Sequence, residues 1–122
     1  MAKILIIEDD AEVRAAIQHC LTRAGHTVSP AADGKEGMST LRGSAMDLVV
    51  TDLFMPEQDG LETIAALRKQ HPKLPVIAIS GGNLVSDAML SVARELGAQE
   101  VLQKPFGTDG LLAAVEKVLG NN

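Results

Sequence analysis

Short, unbroken runs of apolar residues alternate along this chain with longer segments in which apolar residues recur at the helical period. Continuous apolar runs are typical of strands that are buried on both faces of a parallel sheet. They predict strands at residues 3–7, 27–31, 48–51, 75–80 and 100–103. The segments between and after them predict amphipathic helices at residues 11–24, 33–41, 60–70, 86–96 and 108–119.

This regular alternation predicts the arrangement of the elements as well as their type. Strand–helix–strand units with short connections form right-handed crossovers and a parallel sheet that helices cover on both faces. The length of 122 residues suits one such core, so we expect a single α/β domain over residues 1–122. Open sheets of this kind bind ligands at the carboxyl ends of their strands.

The helical spacing also predicts which side chains face the core. In the first helix the apolar face consists of Val13, Ala16, Ile17, Cys20, Leu21 and Ala24. In the third helix the inward positions are Leu61, Ile64, Ala65 and Leu67. Gly25 is expected to end the first helix. Cys20, the one cysteine, is expected to be a core thiol rather than a nucleophile.

Composition narrows the classes of function. Hydrophobic residues make up 46% of the chain and aromatic residues 2%, which indicates an aliphatic core. The net charge of −5 argues against direct nucleic-acid binding, which needs clustered Lys and Arg. No apolar run approaches the ~20 residues of a membrane span, so we expect no membrane contact. A single cysteine fits a reducing compartment, and we expect a cytoplasmic protein.

Acidic side chains follow two of the predicted strands. Glu8, Asp9 and Asp10 come after the first strand, and Asp52 comes directly after the third. Considered alone, the first group has another interpretation, because Asp9 with Glu12 resembles a capping box and Asp10 is itself a candidate cap. Beside Asp52, however, these carboxylates would repel one another unless a hard cation lay between them, and such oxygen ligands suit Mg²⁺.

Asp52 is either a loop or capping residue or a nucleophile. The residues after it do not begin a helix that it could cap, which favours the nucleophile. A carboxylate that attacks phosphorus gives an acyl phosphate, and Mg²⁺ offsets the charge that develops. Ser80 is either a strand-end hydrogen-bonding residue or a hydroxyl donor to a phosphoryl oxygen. Lys104 is either solvated or a compact charge that reaches a phosphate. The bond between Lys104 and Pro105 is a candidate cis peptide.

Four segments at these strand ends together resemble the signature of response-regulator receiver domains of two-component signalling. The segments are ILIIEDD, DLVVTDLFMPEQDG, VIAISGG and VLQKPF. The resemblance covers essentially the whole chain and implies a flavodoxin-like, doubly wound (βα)5 fold with the sheet order 2-1-3-4-5. It implies that Asp52 is the phosphoacceptor. It also implies that Mg²⁺ is bound by Asp52, by Asp9 directly, by Glu8 through water and by the backbone carbonyl of Phe54.

The resemblance further makes Ser80 the switch hydroxyl and Lys104 the phosphate-contacting lysine. In this family a sensor histidine kinase or a histidine phosphotransfer protein donates the phosphate, and Arg14, Ala15 and Gln18 are expected to contact that donor. The resemblance implies that the domain is not an enzyme on other substrates and catalyses only its own phosphorylation and dephosphorylation. It also implies that phosphorylation shifts the face of the fourth helix, fifth strand and fifth helix for an unknown downstream protein.

Two residues depart from the family pattern. Val101 stands where Tyr or Phe is usual, so the usual coupling of a hydroxyl to an aromatic rotamer is not expected here. Phe54 stands where polar residues can place the hydrolytic water, which predicts slow self-dephosphorylation. Phe54 also argues against a phosphatase of the haloacid-dehalogenase type, which needs a second acid at that position.

A receiver-like domain that only binds partners would lack one of the acids, the phosphoacceptor or the lysine, and this chain has all of them. The chain is expected to be either a stand-alone receiver or a piece of a hybrid kinase or transcription factor, with Met1 favouring an N-terminal position.

Overall fold

A computed structural model of the chain describes residues 2–53, 60–80, 87–103 and 106–120, with the side chains of residues 60, 61 and 87–90 left out. Within these residues the strands are β1 (Lys3–Ile7), β2 (Thr27–Ala31), β3 (Leu48–Asp52), β4 (Val76–Ser80) and β5 (Glu100–Gln103). They form one parallel sheet in the order β2-β1-β3-β4-β5. The helices are α1 (Ala11–Arg23), α2 (Gly34–Gly43), α3 (Gly60–Gln70), α4 (Asp87–Glu95) and α5 (Thr108–Gly120). The expected flavodoxin-like fold and strand order are confirmed.

Successive residues of the inner strands point to opposite faces of the sheet, and each face carries its own core. Leu5, Ile7 and Val49 pack with side chains of α2, α3 and α4. Ile4, Ile6 and their neighbours pack with side chains of α1 and α5. Burial on both faces explains why these strands read as unbroken apolar runs rather than as alternating ones.

The predicted core face of α1 is too wide. Ile17 and Leu21 are buried, and Cys20 is half-buried against the core on that side of the sheet. Ala16 and Ala24, which we placed on the core face, are exposed. A helix that lies on a sheet buries only a narrow stripe of side chains, so a small side chain at the margin of the stripe remains in solvent.

The predicted core face of α3 needs a similar correction. Ile64 and Leu67 are buried as expected, but Ala65 is exposed. The buried neighbour of Ile64 is instead Thr63, a polar residue that the apolar pattern could not indicate. The side chain of Leu61 lies outside the described residues.

Arg68 joins three segments at the end of the sheet opposite to the candidate acidic residues. Its guanidinium group donates hydrogen bonds to the carbonyls of Pro72, of Leu74 at 3.1 Å and of Gly97 at 2.9 Å. It thereby ties the end of α3 to the entry of β4 and to the turn between α4 and β5. Gly97 has φ of 116°, and a Cβ atom built there would lie 2.4 Å from Nε of Arg68.

In the part of the chain that the structure describes, none of the helices combines the length and the hydropathy of a membrane span.

Gly97→Ala should destabilise the fold, because alanine is unfavourable at the positive φ of this position and its Cβ would crowd Nε of Arg68. We expect the free energy of unfolding to fall by about 1–3 kcal/mol, measured by urea denaturation. Gly43→Ala is the matched control, since its φ is not positive and a Cβ there would have nothing within 4 Å. Equal stability losses in the two variants would contradict the role given to Gly97.

Candidate functional site

Three carboxylates meet at the carboxyl edge of the sheet. Asp52 is the last residue of β3, and Glu8 and Asp9 directly follow β1, which is paired with β3. One oxygen of each carboxylate lies within 4.8 Å of the other two. The strand order places these acids side by side, as the positions of the residues at the strand ends predict.

Burial makes this cluster electrostatically unfavourable when it is without a counter-charge. Glu8 is 1% exposed and Asp52 is 3% exposed, whereas Asp9 is exposed. At an effective dielectric constant of ~20, two like charges 4.8 Å apart repel by roughly 3–4 kcal/mol. Hard oxygen donors, two of them buried and all on one edge, are a donor set that fits Mg²⁺. The residues present therefore suit the cation that the sequence predicts.

The capping residue of α1 is Asp10, not Asp9. Oδ1 of Asp10 accepts hydrogen bonds from the backbone N–H of Glu12 at 2.9 Å and of Val13 at 3.2 Å. The interpretation of Asp9 and Glu12 as a capping box is thus wrong by one residue, because the helix begins only at Ala11. Since Asp10 satisfies the helix end, Asp9 remains available to the carboxylate cluster.

The loop that carries these acids is held by several hydrogen bonds. The backbone N–H of Glu8 donates to the Ala31 carbonyl at 3.0 Å, and Oε2 of Glu8 accepts from the backbone N–H of Asp10 at 3.3 Å. Nη1 of Arg14 donates to the backbone carbonyl of Glu8 at 2.8 Å and, at 3.5 Å, to that of Asp9. The sequence places Arg14 only on the surface of α1. Helical spacing does not show that its long side chain folds back over the N-terminus of the helix.

Ser80 lies one strand further along the same edge of the sheet. It is buried, and its Oγ donates a hydrogen bond of 3.4 Å to the backbone carbonyl of Leu102 in β5. This contact matches the interpretation of Ser80 as a strand-end hydrogen-bonding residue. Val101, next to Leu102, is half-buried and packs against the core on the side of α2, α3 and α4. The proposed donation from Ser80 to a phosphoryl oxygen stays a prediction.

Two of the predicted site residues, Phe54 and Lys104, lie outside the described part of the chain, as does Pro105 of the candidate cis peptide bond.

Cys20 lines an open apolar groove between α1 and the start of α5. The groove has a volume of about 410 Å³, and its apolar walls include Val13, Ile17, Phe106 and Leu111. Burial raises the pKa of the Cys20 thiol, a hydrogen bond with Thr108 lowers it, and the charge of Asp109 raises it. Because the net shift is upward, the thiolate fraction at neutral pH is small, in keeping with a thiol that is not a nucleophile.

Comparison with known proteins finds a family and several chains that this chain resembles. Residues 4–116 match the family model of the response regulator receiver domain. The transcriptional regulatory protein TcrA of Mycobacterium tuberculosis is 36% identical over 111 residues, which is 91% of this chain and 43% of TcrA. The transcriptional regulatory protein AfsQ1 of Streptomyces coelicolor is 37% identical over 119 residues, 98% of this chain and 52% of AfsQ1. The chain thus spans about half the length of these curated relatives.

Solved structures of other proteins superpose on nearly the full length of this chain. The chemotaxis protein CheY4 of Vibrio cholerae has a TM-score of 0.91 at 30% identity, with 98% of this chain and 99% of that one covered. The receiver domain of NtrX from Brucella abortus has the same TM-score, identity and coverage.

Asp10→Ala should lower the free energy of unfolding by about 1 kcal/mol, because it removes the side chain that caps α1. Asp9→Ala is the comparison variant, and in EDTA it should leave stability unchanged or raise it, since it removes one of three crowded charges. Urea denaturation of both variants in EDTA tests the assignment. A larger loss in Asp9→Ala than in Asp10→Ala would contradict it.

The raised pKa of Cys20 predicts slow alkylation by iodoacetamide in the native protein. The pH at which the rate reaches half its maximum should lie higher for the native protein than for the same protein in urea, since only the thiolate reacts. Coincident pH profiles would show that the environment in the groove does not perturb the thiol.

Proposed function

The chain belongs to the receiver-domain family of response regulators in two-component systems, and from this premise we propose that it accepts a phosphoryl group on Asp52 in a Mg²⁺-dependent reaction. The observation that carries the proposal is the cluster of Glu8, Asp9 and Asp52 oxygens within 4.8 Å of one another at the carboxyl edge of the sheet. A sensor histidine kinase or a histidine phosphotransfer protein supplies the phosphoryl group as phosphohistidine.

In the proposed reaction a carboxylate oxygen of Asp52 attacks phosphorus. The bond from phosphorus to the donor's imidazole nitrogen breaks, the nitrogen keeps the electron pair, and an acyl phosphate remains on Asp52. Because Asp52 ends a buried strand, its side chain is held in place while the donor approaches. Mg²⁺ bound by Glu8, Asp9 and Asp52 would offset the charge of the phosphoryl oxygens.

Two further assignments in the proposal rest on the family resemblance alone, since the residues lie outside the described part of the chain. Lys104 supplies a positive charge to the phosphoryl group, and the backbone carbonyl of Phe54 is a further ligand of Mg²⁺. Phe54 in place of a polar side chain also supports slow loss of the phosphoryl group.

Ser80 is the proposed switch. Its hydroxyl donates a hydrogen bond to the Leu102 carbonyl, and it would donate to a phosphoryl oxygen instead when Asp52 is phosphorylated. The loss of this bond would first change the position of β5, and through β5 the face that it forms with α4 and α5. Because β5 carries Val101, this change would not depend on the rotation of an aromatic ring. A downstream protein then recognises the altered face.

Donor contact is proposed for α1. Ala15 is exposed and Gln18 half-exposed, so both are accessible, and Arg14 is half-buried because its guanidinium group bonds the acidic loop.

The relatives named above are transcriptional regulators about twice as long as this chain. The expectation of no direct nucleic-acid binding therefore concerns this domain, and a DNA-binding output in a longer protein is compatible with it. We place the domain in the cytoplasm as a phosphorylated signalling module whose catalysis is confined to its own phosphorylation and dephosphorylation.

Intact-mass spectrometry after incubation with acetyl phosphate tests the proposal. The wild-type protein should gain one phosphoryl group only when Mg²⁺ is present, and Asp52→Asn should gain none. Asp47→Asn is the matched control, because Asp47 is an exposed acid at the opposite end of β3, where it accepts from the backbone N–H of Lys3.

Modification of Asp52→Asn at the wild-type level would contradict the assignment of the phosphoacceptor. A wild-type protein that gains no phosphoryl group, either from acetyl phosphate or from a phosphorylated histidine phosphotransfer protein, would favour a receiver that only binds partners.

A further inference from the structure

We propose that Arg14 is a positioning residue that holds the acidic loop in the arrangement that binds Mg²⁺. The inference rests on the function proposed above and concerns the control of the same site. It gives Arg14 a role within the domain, in addition to the donor contact expected for the surface of α1.

Arg14 donates hydrogen bonds to the acidic loop from both its backbone and its side chain. Its backbone N–H donates to the Asp10 carbonyl at 2.8 Å, which is the first helical bond of α1. Its side chain runs back along the helix, and Nη1 donates to the carbonyls of Glu8 and Asp9. One residue in the first turn of α1 therefore bonds the backbone of each residue from 8 to 10.

The loop needs such support because its side chains repel one another. Glu8, Asp9 and Asp52 bring three carboxylates within 4.8 Å of one another. Asp9 is the exposed member of the three, so it has room to relieve the repulsion by turning towards solvent. The 2.8 Å bond to the Glu8 carbonyl holds the peptide group before Asp9, and the longer 3.5 Å contact reaches the peptide group after it. A guanidinium donor gives a charge-assisted bond, which is stronger than a neutral one.

Electrostatics and positioning predict opposite effects for the loss of Arg14. Arg14 and Mg²⁺ are both positive, so by charge alone the removal of Arg14 should tighten Mg²⁺ binding. If Arg14 instead fixes the loop, its removal should weaken binding, as happens when residues that orient metal ligands are replaced. The direction of the change therefore identifies the role.

Isothermal titration calorimetry with MgCl₂ on the wild type, Arg14→Gln, Arg14→Lys and Arg23→Gln tests the proposal. Arg23 lies exposed in the last turn of α1, so Arg23→Gln makes the same change in net charge far from the loop. We expect the Kd for Mg²⁺ to rise about tenfold in Arg14→Gln. It should rise less in Arg14→Lys and stay the same or fall slightly in Arg23→Gln.

A second measurement needs no metal. In EDTA, amide hydrogen exchange of Asp10, whose N–H donates to Oε2 of Glu8, should be several-fold faster in Arg14→Gln than in the wild type or Arg23→Gln. Urea denaturation confirms that each variant is folded under the conditions of the titration. A purely structural role would lower stability and leave the Kd of the folded protein unchanged.

Unchanged or tighter Mg²⁺ binding by Arg14→Gln, with a wild type that binds Mg²⁺, would overturn this inference and leave the proposed function intact. It would assign Arg14 to donor contact or to the helix surface alone. A wild type that binds no Mg²⁺ would contradict the proposed function itself, and this inference with it.

Discussion

The crowding of like charges at one end of the sheet is the constraint on which the rest of this structure depends. The order β2-β1-β3-β4-β5 sets the end of β1 beside the end of β3, so Glu8 and Asp9 are placed against Asp52. The strands behind them are covered on both faces, which lowers the local dielectric constant and strengthens every charge interaction at the edge. The core that stabilises the domain thus also creates an edge whose carboxylates could hold a metal ion.

Residues with different chemistry stabilise this edge of the sheet. Asp10 satisfies the end of α1 and so leaves Asp9 to the cluster, while Arg14 bonds the carbonyls of the loop rather than its carboxylates. At the other end of the sheet, Arg68 also bonds carbonyls and joins three segments. Each arginine thus fixes a segment that is not part of the sheet, Arg14 through Nη1 alone and Arg68 through both of its terminal nitrogens.

Much of this architecture could be predicted from the sequence, because burial on both sheet faces leaves an unmistakable pattern of unbroken apolar runs. Asp52 and Glu8 could be placed at one edge for the same reason, since parallel strands end together. The alanines at positions 16 and 65 could not be placed correctly, because a periodic pattern gives the direction of a face and not its width. The roles of Arg14 and Arg68 depend on where a long side chain finds carbonyls, and a pattern of apolar positions contains no information on that.

The hydrogen bond from Ser80 to the Leu102 carbonyl has a consequence for how readily the proposed switch would operate. At 3.4 Å the bond is near the upper limit of useful length for a hydroxyl donor, so it contributes little energy. A hydroxyl has one proton to donate, so any new acceptor beside Asp52 competes directly with the β5 carbonyl. In the proposed switch, a weaker bond to Leu102 would need a smaller stimulus to break it, so this imperfect contact would make the domain more sensitive to phosphorylation.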